Sequence, residues 1–179
     1  MEWLIELDKI CFRLINQSGS ITCDSLMLFA SHKLSWTPLY IILVYFIIKE
    51  KGKESIWILI SIGLVIACCD MGSVHLFKNT FQRLRPCHFL DDVRLVSGKC
   101  GGQYGFISSH ASNVFGLAIL VGKLMNRKIL FVVLFIWANV VAYSRVYLGV
   151  HYPLDIIGGM LWGTFVALII FSLYKKYKI

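Results

Sequence analysis

The sequence predicts an all-α integral membrane helical bundle, with about five transmembrane helices and an N-terminal amphipathic helix at the interface. The chain of 179 residues is 58% hydrophobic and only 16% charged, with a mean hydropathy of +0.71. A soluble domain runs at roughly 45–50% apolar and about 25% charged. Five stretches, 36–48, 55–77, 108–122, 129–144 and 156–174, cover nearly half the chain, yet of all its Asp, Glu, Lys and Arg only Asp70 falls inside them. A charge placed in hydrocarbon costs about 2.5–3.5 kcal/mol on insertion scales, and segregation of this kind is its consequence. The 14% aromatic content excludes a disordered chain. Five spans of ~20 residues leave room for one domain over 1–179.

The first 17 residues place Trp3, Leu4, Leu7, Ile10, Cys11 and Leu14 along one side of a helix and Glu2, Glu6, Lys9 and Arg13 opposite. That pattern fits a helix lying in the interface, and equally a sixth helix packed at the bundle edge. Its acidic start, with no basic segment before an apolar core, is not that of a cleavable signal peptide. The first span is short: 36–48 covers ~20 Å at ~1.5 Å per residue, so it borrows from 25–35 and carries His32 and Lys33. The second contains Asp70, and an ionisable group inside a span is a functional hypothesis by default. Asp70 lies two turns before Lys78, ~12 Å along the axis, so a hydrogen bond to a neighbouring helix is expected rather than a salt bridge. The third span opens at Ser108, a natural N-cap. The fourth ends at Ser144 and Arg145. The fifth starts near Pro153, and its Gly159 and Gly163 form a small-residue face predicted to pack within the bundle.

The net charge is +8. In a chain this apolar, Lys and Arg mark loops that face anionic lipid or phosphate rather than a nucleic-acid interface. One side carries Lys49, Lys51, Lys53, Lys123, Arg127, Lys128, Lys175, Lys176 and Lys178; the other carries Lys9, Arg13, Lys33, Lys78, Arg83, Arg85, Arg94, Lys99 and Arg145. The first group is packed into short connections that flank spans, where the positive-inside bias acts most strongly. Those connections are therefore predicted to be cytoplasmic, and the 79–107 loop external.

Cys87 and Cys100 both fall in that loop. A bridge between them would contribute ~3 kcal/mol in an oxidising compartment, and two free thiols are the alternative. Cys11, Cys23, Cys68 and Cys69 read as small packing residues. No Cys/His spacing makes a zinc site, and Asp91–Asp92 reads as a solvated turn. No metal or cofactor is implied.

Polar residues collect on the external side in three clusters. Lys78 closes the second span and Arg85-Pro86 follows it; Ser108, Ser109 and His110 open the third; Ser144-Arg145 leads into His151 and Asp155. Two guanidinium groups, an ammonium, a helix N-terminus, two imidazoles and a carboxylate at one end of a bundle suit a tetrahedral phosphate and its transfer. His151 and Asp155 are four apart, so Asp155 can accept the Nδ1–H of His151 and leave Nε2 as a nucleophile. His110 is the candidate acid for the leaving group, with His32 and His88 as alternatives on the same face.

Lys78-(six residues)-Arg85-Pro86, Ser108-Ser109-His110 and Ser144-Arg145-(five residues)-His151-(three residues)-Asp155 are similar to the three-part signature of the type 2 phosphatidic acid phosphatase (PAP2) superfamily. The second motif departs from it, because the family usually has Pro-Ser-Gly-His where this chain has Ile107-Ser108-Ser109-His110. Serine in the glycine position would be strained if that position needed φ > 0. The resemblance implies a metal-independent membrane phosphatase. Lys78, Arg85, Ser108 and Arg145 would bind phosphate, assisted by the Ser109 N–H. His151 would form a phosphohistidine, Asp155 would orient it, and His110 would protonate the leaving group and then activate water.

Implied partners are the bilayer and a lipid phosphate. Lipid A 1-phosphate is favoured, ahead of undecaprenyl pyrophosphate, phosphatidylglycerophosphate and phosphatidate, because the chain is compact, the outer loop is basic (Arg83, Arg94, Lys99) and the overall pattern looks most like small bacterial members of the family. The implied location is the bacterial inner membrane, with the site facing the periplasm. Two readings of another kind use the same anion pocket: a vanadate-dependent haloperoxidase-like enzyme, and a non-enzymatic lipid-binding or transport protein.

Overall fold

The computed structural model describes residues 2–177. Met1 of the predicted first helix and Lys178 of the basic C-terminal group lie outside them. Seven helices of eleven residues or more account for most of the described chain, and it contains no β-strand beyond one isolated bridge. They are α1 (Glu2–Gln17), α2 (Ile21–Ser31), α3 (Thr37–Lys51), α4 (Ser55–Gly72), α5 (Ser109–Met125), α6 (Lys128–Tyr147) and α7 (Pro153–Tyr177). α4 runs on through a π-helical turn, Ser73–Lys78, and a last α-turn, Asn79–Phe81. By length and composition, 33–81, α6 and α7 can cross a membrane.

α5 is the central helix. Nearly all its residues from Ala111 to Met125 are buried, between α4, α6 and α7. α7 approaches it most closely through small residues: a Cβ on Gly159 would lie 2.5 Å from the Ser108 carbonyl oxygen, and one on Gly163 would overlap that of Ser112. The predicted small-residue face thus packs within the chain, where it lets two backbones touch. Large apolar side chains of α3, α4, α6 and α7, such as Ile41, Trp57, Ile136 and Phe165, point outward, as a lipid solvent requires.

α1 turns over the expected relation between polarity and packing. Its buried residues are Asp8, Phe12 and Asn16, an i, i+4, i+8 stripe belonging to neither face drawn from the sequence, while Trp3, Leu7 and Leu14 are exposed. Asn16 donates to the carbonyls of Arg94 (2.9 Å) and Tyr147 (2.8 Å), and Phe12 packs edge-on against Tyr152. α1 is bound to the bundle by polar contacts and by Phe12, and presents most of its apolar side outward.

Other expectations are corrected. Asp70 lies on the exposed side of α4 and makes no hydrogen bond to another helix among the described residues, because it is Cys69, one position away, that faces the core. Of the four other cysteines only Cys69 is buried; Cys23 and Cys68 are exposed. Asp92 is no free turn residue but accepts from Arg13 (2.8 Å) and Gln17 (3.1 Å), tying the outer loop to α1. Cys87 and Cys100 are joined, with Cα atoms 5.9 Å apart.

Candidate active site

The outer loop positions two arginines by a local rule of extended chain. Leu84 bridges Tyr104 in antiparallel fashion, with Gly105 N–H donating to the Arg83 carbonyl (2.8 Å) and Arg85 N–H to that of Gln103 (3.2 Å). In extended backbone, residues two apart point to one face. Arg83 and Arg85 therefore both project toward the start of α7. The Cys87–Cys100 bridge closes the same loop, and Pro86 opens a short helix, Pro86–Phe89, directly after Arg85. Gly105 leaves the space they need: a Cβ there would meet Asp155 Oδ2 at 3.0 Å and Arg85 Cγ at 3.2 Å.

His151 sits in the connection between α6 and α7, 1% exposed. Its Nδ1 is 3.2 Å from Asp155 Oδ2 and its Nε2 is 3.1 Å from Arg85 Nη1. Since Nδ1 faces a carboxylate and Nε2 faces a donor that has no lone pair, the proton belongs on Nδ1. Burial first, then the charges of Arg85, Arg145, Lys78 and Arg83, push the His151 imidazole well below the usual histidine range, so it is neutral near pH 7. The Arg85 guanidinium also donates to the Val150 carbonyl (3.1 Å), while its Nε is buried without a partner.

Asp155, in the first turn of α7, is fully buried. It accepts from His151, from Tyr152 N–H (3.0 Å) and, on its other oxygen, from Arg83 Nη1 (3.0 Å). Arg83 Nη2 donates to Asp8 Oδ2 at 2.6 Å, and Asp8 Oδ1 accepts from Leu154 N–H at 2.9 Å. Burial pushes the Asp8 carboxyl up, against the pull of Arg83 and the Leu154 N–H. The chain Asp8–Arg83–Asp155–His151 thus runs from the N-terminal helix to the imidazole.

Ser108 caps α5: its Oγ accepts from Ala111 N–H, and its own N–H donates to the Asp155 carbonyl at 2.9 Å. It is fully buried, so its hydroxyl is occupied as a cap. Ser109 and His110 follow in the first helical turn, where backbone N–H groups have no intrahelical partner. Ser109 is helical. Gln82 and Asn126 are the non-glycine residues with positive φ among those described, so serine in the glycine position carries no such strain. Lys78 Nζ donates to Ser109 Oγ at 2.8 Å, aimed there from the π-helical turn that ends α4. Arg145 donates to Ser31 Oγ, and its Nε is unpartnered.

Six of the eight predicted residues fall into one assembly. Lys78 meets Ser109, Arg85 meets His151, and Asp155 joins His151 to Ser108. Arg145 contacts Ser31 instead of these residues. His110, in the first turn of α5, lines a cavity of about 370 Å³ between α3, α4, α5 and α6. His88 faces the Gly101 carbonyl in the loop, and His32 ends α2.

Sequence reasoning missed Arg83, Asp8 and Ser31. Arg83 had a signal in its spacing of two from Arg85. Asp8 had none, lying 147 positions before its partner's partner, Asp155. The basic outer loop read as a headgroup surface is also corrected. Arg83 is held by Asp8 and Asp155, and Arg94 by Asp24 at 2.7 Å, so neither presents a free charge.

Comparison with known proteins gives the same picture. A lipid A 4'-phosphatase of Porphyromonas gingivalis is 34% identical over 97% of this chain and 75% of its own. An undecaprenyl-diphosphatase of Sulfolobus acidocaldarius is 34% identical over 87% of this chain and 73% of its own. The crystal structure of a transmembrane PAP2-type phosphatidylglycerolphosphate phosphatase from Bacillus subtilis superposes with a TM-score of 0.76, covering 99% of this chain and 89% of that one at 19% identity, which speaks to the fold. The PAP2 superfamily model matches residues 54–179, which hold every one of the motif residues. With the fold, the three motifs and the relatives in agreement, this chain belongs to the PAP2 superfamily and is a multi-pass membrane lipid phosphatase.

Proposed function

We propose that the protein removes a phosphate ester from a lipid A-type glycolipid, at the 4' position, through a phosphohistidine on His151. The observation that carries the mechanism is the clamp on that imidazole, with Asp155 on Nδ1 at 3.2 Å and Arg85 against Nε2 at 3.1 Å. A buried, neutral imidazole with its free lone pair fixed by a carboxylate is a nucleophile for phosphorus. Arg85 covers that lone pair, so it moves onto a phosphate oxygen when substrate binds. Lys78, Arg145 and the N–H groups of Ser109 and His110 meet the other oxygens. Ser108 acts through its cap, holding the α5 terminus that presents those groups.

Nε2 attacks phosphorus, the P–O bond to the lipid breaks, and His110 gives its proton to the departing lipid oxygen. His110 then takes a proton from water. The resulting hydroxide attacks phosphorus, the N–P bond breaks, and inorganic phosphate leaves with His151 neutral again. Asp155 stays ionised and holds the Nδ1 proton throughout. No step needs a metal.

The 4' position is supported by the name of the Porphyromonas relative. Of the loop residues that favoured the 1 position, Arg83 and Arg94 are held in ion pairs. The external, periplasmic side of a bacterial inner membrane suits the site, since the short basic connections lie at the opposite end of the bundle.

Phosphate release by solubilised protein, in EDTA, from lipid A labelled at either position tests the reading. Release from the 4' position, inhibited by vanadate and abolished in His151→Ala, is the expected result. Release from the 1 position alone, from undecaprenyl pyrophosphate alone, or only without EDTA overturns the corresponding part. Bromide oxidation on adding vanadate would favour the haloperoxidase reading, and lipid binding without release a non-enzymatic one.

A further inference from the structure

The cavity below His110 has an apolar wall with two unanswered polar groups. Trp36, which precedes α3, and Tyr40 and Ile47 of α3 line one side, and Ile62 and Ile66 of α4 another. Trp36 and Ile47 are eleven residues apart on that side, so the slot extends ~16 Å along the helix axis. Its volume of about 370 Å³ is in the usual range for a bound organic ligand, roughly 300–1,000 Å³.

In this wall stand Asn113 of α5 and Trp137 of α6. The Oδ1 of Asn113 and the Nε1–H of Trp137 are both buried without a hydrogen-bond partner, and Trp137 as a whole is 6% exposed. An indole N–H is a donor only, and an amide oxygen an acceptor only. Buried polar groups of a native protein are normally satisfied. The ring of Trp137 is held edge-on by Trp36 and Tyr40, with centroids at 5.7 and 6.1 Å. That packing restricts the indole's freedom to turn away and find a partner.

We infer that this cavity receives an acyl chain of the substrate, and that Asn113 and Trp137 select a chain bearing a hydroxyl group near its head. The inference rests on the lipid phosphatase reading and deepens it. His110, the proposed acid, lines the slot from the first turn of α5, so a lipid whose ester oxygen meets His110 can lay its hydrocarbon along the slot. Asn113 is three residues further along the same helix, ~4.5 Å deeper, and Trp137 packs on Trp36 at the start of α3, so both groups lie toward the headgroup end of the slot. A hydroxyl both donates and accepts, and so answers an acceptor and a donor in one wall. A plain methylene chain leaves both groups unpaired, and an ester carbonyl answers only Trp137. Binding energy from the chain, remote from phosphorus, is available to orient the phosphate on His151.

The test compares matched lipid phosphates that differ only in a hydroxyl near the head of the acyl chain, with a short aryl phosphate as a chainless control. The expected kcat/KM for the hydroxylated lipid is about tenfold above that for the plain one. In Trp137→Phe and Asn113→Leu the ratio falls toward one. The aryl phosphate, which never enters the slot, reports whether each variant retains a folded site. Equal rates on the two lipids in the unaltered protein overturn the inference while leaving the phosphatase reading intact. A ratio that persists in both variants overturns the assignment of these two residues. Release from neither lipid overturns the phosphatase reading and this inference with it.

Discussion

Arg83 Nη1 lies 3.0 Å from Asp155 Oδ1, on the carboxylate whose other oxygen faces His151. The imidazole is therefore oriented by a carboxylate that is itself oriented, and the outermost member of the series, Asp8, belongs to a helix at the other end of the chain. An orienting carboxylate held in turn by a cation fixes the histidine more tightly than a pair alone.

Removing that outer support leaves Asp155 buried with one oxygen unanswered. Arg83→Met is expected to cost about 3–5 kcal/mol of stability, the usual consequence of breaking a buried pair from one side. Activity falls with it, and Asp8→Asn has a smaller effect because an amide still accepts from Arg83. Arg13→Ala, which removes an exposed partner of Asp92, serves as the comparison and leaves stability nearly unchanged. Thermal unfolding of the three variants in detergent checks the order.

Acid is expected to weaken the fold through His151. Its folded-state pKa is depressed by burial and by Arg85, so above about pH 6.5 the imidazole is neutral in both states and contributes no pH dependence. Below that value the unfolded chain takes up a proton that the folded chain refuses. Stability then falls as pH drops, by at most about 1.4 kcal/mol per pH unit. Between pH 7.5 and 5, the unaltered protein should lose more thermal stability than His151→Gln. Equal losses would show that His151 titrates normally.

The Cys87–Cys100 bridge closes the loop that carries Arg85 and Gly105 toward the site. Opening it with reductant is expected to cost ~3 kcal/mol, or roughly 6–12 °C in Tm for a chain of this size. The double variant Cys87→Ala/Cys100→Ala should start lower and be indifferent to reductant.

How much of this was legible beforehand depends on the solvent each face meets. The charge-free runs located the long helices, since hydrocarbon excludes charge from any side that faces it. The i, i+4 relation of His151 and Asp155, the Ser108 cap and the helix start at Pro153 are local, and the structure has each of them. The packing face of α1 was not legible, because in a membrane an apolar stripe points as readily to lipid as to the core, and here Asp8 and Asn16 face inward. The Arg83 and Arg94 pairings span 72 and 70 positions, and no local pattern encodes them. Asp70 was expected to find a partner because a buried carboxylate needs one; it is exposed on α4. In the candidate site the residue types were readable, whereas the assignment of Arg83 to Asp155 and of Asp8 to Arg83 required the fold.

Transfer of phosphorus to Nε2 of His151 can be trapped. An aryl phosphate has a leaving group good enough to depart without acid, so His110→Ala should still form the phosphoenzyme but lack the base that activates water. Rapid quench of His110→Ala with such a substrate, followed by peptide mass spectrometry under neutral conditions, reads this directly. One phosphate on His151, and none in the double variant His110→Ala/His151→Ala, is the expected result. Turnover in the unaltered protein, with no phosphate ever found on His151 in either background, would contradict it.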